Sequence, residues 1–362
     1  MGRALISGYY GFGNAGDEAI LAGLVEGFRA LAPELALTVL SGHPAATEAE
    51  HGVHAMSRGF RSAHTALRAA DLFVSGGGGL IQDATSWRSP LYYLKLLEMA
   101  RRRGLPIACI GHSVGPLRRW WVRALTRRAL EKVGVLAVRD HRSVEILRGL
   151  GLRREVEVTA DLAFLLPRPG EAEIAAAWRK AGLAEKNGPA AAIAVRRLPG
   201  QDRGRGNEIA ISAIAACRAV KLRPVLIPMQ HPEDLELAQA AARAALGGEV
   251  VRERLSARET LALVSGFDLV LAMRLHALIF GASGGLPLVA VSYDPKVDGL
   301  MGELELSAAT SAAEFSAEAL EEAVRVAWQA REDPSRRITA QAERLRAAAL
   351  RNVTLALELL PG

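Results

Sequence analysis

The chain has 362 residues, half of them hydrophobic and only 5% aromatic, so its cores must be built from Ala, Leu and Val, and the length suits two α/β domains of about 150 residues each. A formal net charge of +6 favours anionic partners: phosphorylated metabolites, an anionic membrane face or nucleic acid. Two cysteines, Cys109 and Cys217, lie far apart in apolar surroundings and read as small buried hydrophobes, which excludes a disulfide framework and a cysteine metal site.

The N-terminal residues run directly into a strand without the apolar core of a signal peptide. No uninterrupted apolar stretch approaches the roughly 18 residues that span a bilayer. The expectation is a cytoplasmic protein, soluble or at most peripheral to a membrane.

In chain order, the periodicity predicts strands over residues 4–8, 36–40, 72–75, 107–111, 135–138 and 156–159. Helices fall between them, notably over 17–31, 91–103 and 120–133. A second series starts with strands over 190–195, 224–227, 269–272 and 288–291, with helices over 209–220 and 233–245. Ser256 and Glu259 have the spacing of a capping box. Short apolar strands alternating with helices imply parallel sheets covered on both faces. Residues 166–189, broken by Pro167, Pro169 and Pro189, are the predicted linker. The expected organisation is an N-terminal α/β domain over 1–165, a C-terminal one over 190–330, and a helical tail over 331–362. Ligands of open α/β sheets bind beyond the carboxyl ends of the strands, so an interdomain cleft is the expected place for a site.

Gly11-Phe12-Gly13-Asn14-Ala15-Gly16 matches a dinucleotide fingerprint between a strand and a helix. Asp17 and Glu18 put negative charge where a pyrophosphate would sit, and the next strand ends without an acid for a ribose hydroxyl. The reading preferred over NAD is a tight turn offering Asn14, Asp17 and backbone amides to a polar ligand. After the third strand, Gly76-Gly77-Gly78-Gly79 lets the backbone approach a ligand, with Gln82 and Asp83 projecting polar groups. Close strand-to-helix packing would explain one or two of these glycines. His112 and Arg139 each follow a further strand, and Asp140 reads as the cap of the next helix.

Arg118, Arg119, Arg123, Arg127 and Arg128 are interleaved with Trp120 and Trp121. This segment reads either as an amphipathic surface helix with buried tryptophans or as a basic face for lipid headgroups or a polyphosphate. Nothing resembles a nucleic-acid-binding module, and that partner is not expected. In the second half, Arg274 and His276 follow one strand and Lys296 follows the next. A guanidinium, an imidazole and an ammonium around one volume suit a ligand bearing both carboxylate and phosphate, whose charge would favour a protonated imidazole poised to donate.

These residues resemble the polysaccharide pyruvyl transferase family, most closely its CsaB-like bacterial branch. The resemblance rests on Gly8-Tyr9-Tyr10-Gly11 through Asn14-Ala15-Gly16-Asp17-Glu18, the Gly76 to Asp83 segment, Gly115-Pro116, Val138-Arg139-Asp140, Arg274-Leu275-His276 and Tyr293-Asp294-Pro295-Lys296. It implies a GT-B-like fold of two Rossmann-like domains, phosphoenolpyruvate as donor, and a hexose of a cell-wall glycan precursor as acceptor. The product implied is a cyclic pyruvate ketal, with phosphate released and no cofactor required. Relatives in that branch act on lipid-linked precursors of secondary cell-wall polymers, whose pyruvylated sugars anchor surface-layer proteins. The family's donor-site residues carry over to Arg139, Arg274 and His276, while many relatives have glutamine at the place of His112.

The mechanism expected has Arg139, Arg274 and Lys296 holding the donor and His276 protonating its methylene carbon. Asp17, Asp83 and His112 are the alternatives for accepting hydroxyl protons; no metal is expected. Two other functions fit the fold: a nucleotide-sugar-dependent glycosyltransferase and a non-catalytic sugar-phosphate-binding protein. Against the first, residues 274–291 hold no acid to meet a ribose.

Overall fold

The computed structural model describes residues 2–84, 86–183, 188–198 and 203–360. The chain groups into two units: unit 1 takes Met1–Gly13, Asp17–Leu166 and Leu345–Gly362, and unit 2 takes Asn14–Gly16 and Pro167–Arg344.

Unit 1 is built on β1 (Arg3–Ser7), β2 (Ala36–Ser41), β3 (His54–Ser57), β4 (Leu72–Ile81), β5 (Ile107–Val114), β6 (Val135–Val138) and β7 (Glu157–Val158). They form one sheet in the order β3-β2-β1-β4-β5-β6-β7. All its pairings are parallel. Unit 2 has β8 (Ala190–Ala194), β9 (Arg223–Leu226), β10 (Glu249–Val250), β11 (Leu269–Ala272), β12 (Leu288–Ser292) and β13 (Thr310–Ser311), in the order β10-β9-β8-β11-β12-β13 and again parallel. Central strands such as β8 (Ala-Ala-Ala-Ile-Ala) and β11 (Leu-Val-Leu-Ala) are buried along their whole length, which is why they read as continuous apolar runs. Strand order reverses between β1 and β4 in unit 1 and between β8 and β11 in unit 2. Such switch points open a crevice at the carboxyl ends of the strands.

The edge strands β3, β10 and β13 escape the sequence reading because each has four or fewer residues and only partly buried faces. The glycine segment also differs from expectation. It continues β4, with Gly76 opposite Ile110 and Gly78 opposite His112, before the register shifts towards Ile81. Gly77 and Gly78 hold φ of 59° and 84°, a left-handed backbone that only glycine adopts at little cost. A Cβ on Gly77 would lie 2.7 Å from the Ile20 side chain, so that glycine serves packing of the helix Ala15–Leu31 on the sheet.

Most of the expected linker is not a spacer. Its helix Glu171–Lys180 packs within unit 2, with the buried Trp178 ring nitrogen donating to the Leu263 carbonyl and Lys180 paired with Glu259 at 2.7 Å. Residues 184–187 of that linker lie outside the described residues. The tail is one helix, Glu332–Leu357, divided between the units after Arg344. In unit 1 its buried Asn352 accepts from Gly111 N–H and the Thr159 hydroxyl and donates to the Ala160 carbonyl, tying the helix to β5. Residues 361–362 of the tail lie outside the described residues. No helix among those described is long and apolar enough to cross a membrane.

Candidate active site

The switch point of unit 2 gathers polar side chains from four strand ends. Arg274 sits beyond β11 as the N-cap of the helix Leu275–Ser283. Its guanidinium is held from the side by Asp234, with Nε donating to Oδ2 at 2.8 Å and Nη2 to Oδ1 at 2.5 Å. Asp234 is 1% exposed and lies in the first turn of the helix Glu233–Ala244, after β9. Its Oδ2 also accepts from Met229 N–H at 3.2 Å and Gln230 N–H at 3.1 Å. A buried carboxylate needs such partners to remain charged, and the two-point contact sets the plane of the guanidinium.

Gln230 extends the array. Its Oε1 accepts from Arg274 Nη2 at 3.3 Å and from Asn14 Nδ2 at 3.4 Å, while Ala15 N–H donates to the Met229 carbonyl. The Asn14 side chain turns back to accept Gly16 N–H at 3.0 Å. Gly16 lies against the half-buried His276: a Cβ there would be 2.1 Å from Nδ1 of the imidazole. The Asn14-Ala15-Gly16 turn and Arg274-Leu275-His276 therefore meet within unit 2.

Beyond β12, Asp294 caps the helix Pro295–Glu303 and accepts from Lys296 N–H, and Lys296 Nζ stands 3.5 Å from the Asp294 carboxylate. Tyr293 beside it accepts a hydrogen bond from Arg196 Nη1 at 2.9 Å. Burial acts to raise the Tyr293 hydroxyl's pKa, but the charges of Lys296, Arg196 and Arg274 outweigh it and bring the group below its ordinary value of 10.0.

Unit 1 uses most of its predicted residues internally. His112 is fully buried between β4 and β6, its Nε2 is 3.0 Å from the Ser75 carbonyl, and burial, reinforced by the Arg139 charge, lowers its pKa to about 4. It is a neutral core histidine at neutral pH and not a group presented to a ligand. Asp83 likewise departs from the reading that it projects outward. Its carboxylate, 2% exposed, accepts from Arg118 N–H at 2.7 Å and Arg119 N–H at 2.8 Å. Burial works to raise its pKa, but those amides hold it below the usual carboxylate range.

Gln82 closes a local turn by accepting from Ala84 N–H. Arg139, 8% exposed, pairs with the buried Asp161 through Nη1, so its charge is committed inside the unit. Asp17 remains half-buried, with Oδ1 3.3 Å from where a Cβ on Gly78 would sit.

Asp234, Gln230, Arg196 and Tyr293 carry no role in the sequence reading. Asp234 sits in an acidic helix start beside Glu233 and Glu236, where dipole complementarity alone accounts for acids. Nothing local distinguishes it. Tyr293 had two available signals, its place directly after a buried strand and its position in the Tyr293-Asp294-Pro295-Lys296 motif.

Two doubly wound parallel sheets, with cationic side chains gathered at the switch point of the second, define a protein of the GT-B-like class with two Rossmann-like units. The fold is shared with a glycosyltransferase from Rickettsia africae (10% identity, 100% of this chain and 99% of that one, TM-score 0.64). It is shared also with a UDP-GlcNAc 2-epimerase from Neisseria meningitidis (11% identity, 98% and 100%, TM-score 0.62). The chain belongs to the polysaccharide pyruvyl transferase family, whose sequence profile it matches over residues 14–295. The amylovoran biosynthesis protein AmsJ of Erwinia amylovora is 26% identical over an alignment of 261 residues that covers 66% of this chain and 61% of AmsJ, so the match spans less than two thirds of that relative.

Proposed function

We propose that the chain transfers the pyruvyl group of phosphoenolpyruvate to a hexose of a cell-wall glycan precursor, closing a cyclic ketal and releasing phosphate. The observation that carries this reading is Arg274, fixed in plane by Asp234, two residues before His276 at the switch point of unit 2. Membership of the pyruvyl transferase family supports the same chemistry.

Asp234 and Gln230 occupy Nε and Nη2 of Arg274, which leaves Nη1 for an anionic oxygen of the donor, with Lys296 as the second cation. His276, protonated, gives its proton to the methylene carbon. The first sugar hydroxyl adds to the neighbouring carbon and its proton returns to the imidazole. The bond to the phosphate oxygen then breaks, the second hydroxyl closes the ring, and its proton leaves with the phosphate. Phosphoenolpyruvate is a substrate in this scheme and no cofactor enters it. Arg139 is left out of the donor set because Asp161 already neutralises it inside unit 1.

We propose further that the acceptor is a lipid-linked precursor of a secondary cell-wall polymer, handled at the cytoplasmic face of the membrane and destined for surface-layer anchoring, a reading supported by the resemblance of the motifs to the CsaB-like branch. The helix Trp120–Leu130 supports a peripheral contact there: Trp120 is 79% exposed, where the reading as an amphipathic helix with buried tryptophans would hide it, and Arg123, Arg127 and Arg128 are exposed beside it. An exposed tryptophan among arginines suits an anionic headgroup layer.

The test is phosphate release from phosphoenolpyruvate with synthetic β-linked hexosamine and galactose acceptors, followed by NMR of the product for the ketal methyl group. Stabilisation by UDP-sugars, with no phosphate release from phosphoenolpyruvate on any acceptor, would move the chain to the nucleotide-sugar reading.

A further inference from the structure

Arg196 lies two residues beyond β8, and Tyr293 is the first residue beyond β12. Those strands flank β11 on either side, so the two side chains meet beyond the end of β11, the strand that Arg274 follows. The contact is made at two points: Arg196 Nη1 donates to the Tyr293 hydroxyl at 2.9 Å, and its guanidinium carbon stands 4.8 Å from the ring centroid. Lys296 Nζ lies 5.8 Å from the same centroid.

A phenol hydroxyl both accepts and donates. Because its oxygen accepts from Arg196, its own proton is directed to another acceptor. The positive potential of Lys296, Arg196 and Arg274 overcomes burial and makes this hydroxyl more acidic than an ordinary tyrosine, which strengthens it as a donor to a charged oxygen. Cations from neighbouring strand ends and one acidic hydroxyl match the several acceptor oxygens of a phosphate monoester, and a lone carboxylate would leave part of the set unused.

We infer that Arg196, Tyr293 and Lys296 form a phosphate subsite, which takes the phosphate group of the donor. Its assignment to phosphoenolpyruvate rests on the pyruvyl-transfer reading above; its assignment to phosphate rests on the geometry and charge of the three side chains.

The test is calorimetric titration of the full chain with inorganic phosphate, phosphoenolpyruvate and pyruvate. Arg196→Ala and Tyr293→Phe are each expected to weaken binding of phosphate and phosphoenolpyruvate by about 10-fold or more, the loss typical of a charge-assisted hydrogen bond, and to leave pyruvate unaffected. Arg196→Lys should recover part of the loss. Tyr293→Phe keeps the ring and its stacking on Arg196, so its unfolding midpoint should stay at the wild-type value. Absence of phosphate binding by the wild type, or equal phosphate affinity in both variants, overturns the subsite. The outcomes separate the two readings. Phosphate binding that is lost in the variants, in a protein that never turns over phosphoenolpyruvate, keeps the subsite and removes the pyruvyl transferase. Turnover of phosphoenolpyruvate with an unchanged KM in both variants does the reverse.

Discussion

The carboxylate of Asp234 grips Arg274 at two points, Nε at 2.8 Å and Nη2 at 2.5 Å, and the same carboxylate is fastened by the backbone amides of Met229 and Gln230. The arginine that the sequence offers as one of the groups holding an anionic donor is therefore an oriented, partly neutralised hydrogen-bond donor. Its value to a reaction lies in where it points more than in how much charge it carries.

Replacing Asp234 by Asn keeps the volume and removes the charge. We expect kcat/KM for phosphoenolpyruvate to fall roughly 100-fold, because a guanidinium displaced by about 1 Å loses its alignment. Stability should drop by about 2 kcal/mol, measured by denaturant unfolding, since Arg274 keeps some access to solvent. Wild-type kinetics in Asp234→Asn would deny the positioning role.

Gly16→Ala puts a methyl group 2.1 Å from Nδ1 of His276, and one of the two must move. Turnover should fall about 100-fold or more if His276 is the acid. The thermal midpoint should fall as well, because Nδ1, Cε1 and Cγ of the half-buried ring all lie within 2.6 Å of the added methyl group and the whole imidazole must shift. The double variant Gly16→Ala/His276→Ala should be no slower than His276→Ala alone, since both changes act on one group. Additive losses would place the effect of Gly16 elsewhere.

His112 makes a pH prediction. Folding lowers its pKa from 6.5 to about 4, so between those values the unfolded chain binds more protons than the folded one. Its contribution is fully present above pH 6.5 and is lost as the pH falls towards 4, by about 3 kcal/mol at most. Unfolding free energies of the wild type and His112→Gln, compared from pH 7 to 4, should show a flatter profile in the variant. Parallel profiles would mean that His112 titrates normally.

Arg139 and Asp161 are both nearly buried and pair with each other. Arg139→Met strands the carboxylate and should cost about 3–5 kcal/mol, while Arg139→Met/Asp161→Leu should recover most of it. The recovered double variant also tests the donor role that family resemblance implies. An unchanged KM for phosphoenolpyruvate there would confine Arg139 to structure.

Much of the architecture was legible because it is written locally. Parallel strands buried on both faces appear as apolar runs, and the positions of Arg274, His276 and Lys296 just after such runs place them at a carboxyl edge without knowledge of any partner. Depth was not legible. His112, flanked by glycines at the end of an apolar run, has the same local signature as His276, yet it lies within β5, between β4 and β6, and is fully buried. Asp83 looked like a group facing a ligand until the amides of Arg118 and Arg119, 35 and 36 residues away, took both its oxygens.

By itself, then, the amino-acid sequence determined the two parallel sheets, the polar residues at their strand ends and the family to which the order of those motifs points. Only the tertiary structure decided which of those residues are spent inside the fold and which are gathered at a switch point. The physical reason is separation along the chain. The pairs that build the candidate site, Asn14 with Gln230, Arg274 with Asp234 and Arg196 with Tyr293, are 216, 40 and 97 residues apart. Propensity and periodicity act over a few turns of chain and carry no information about which distant segments meet, so only the tertiary fold brings these partners within hydrogen-bond reach.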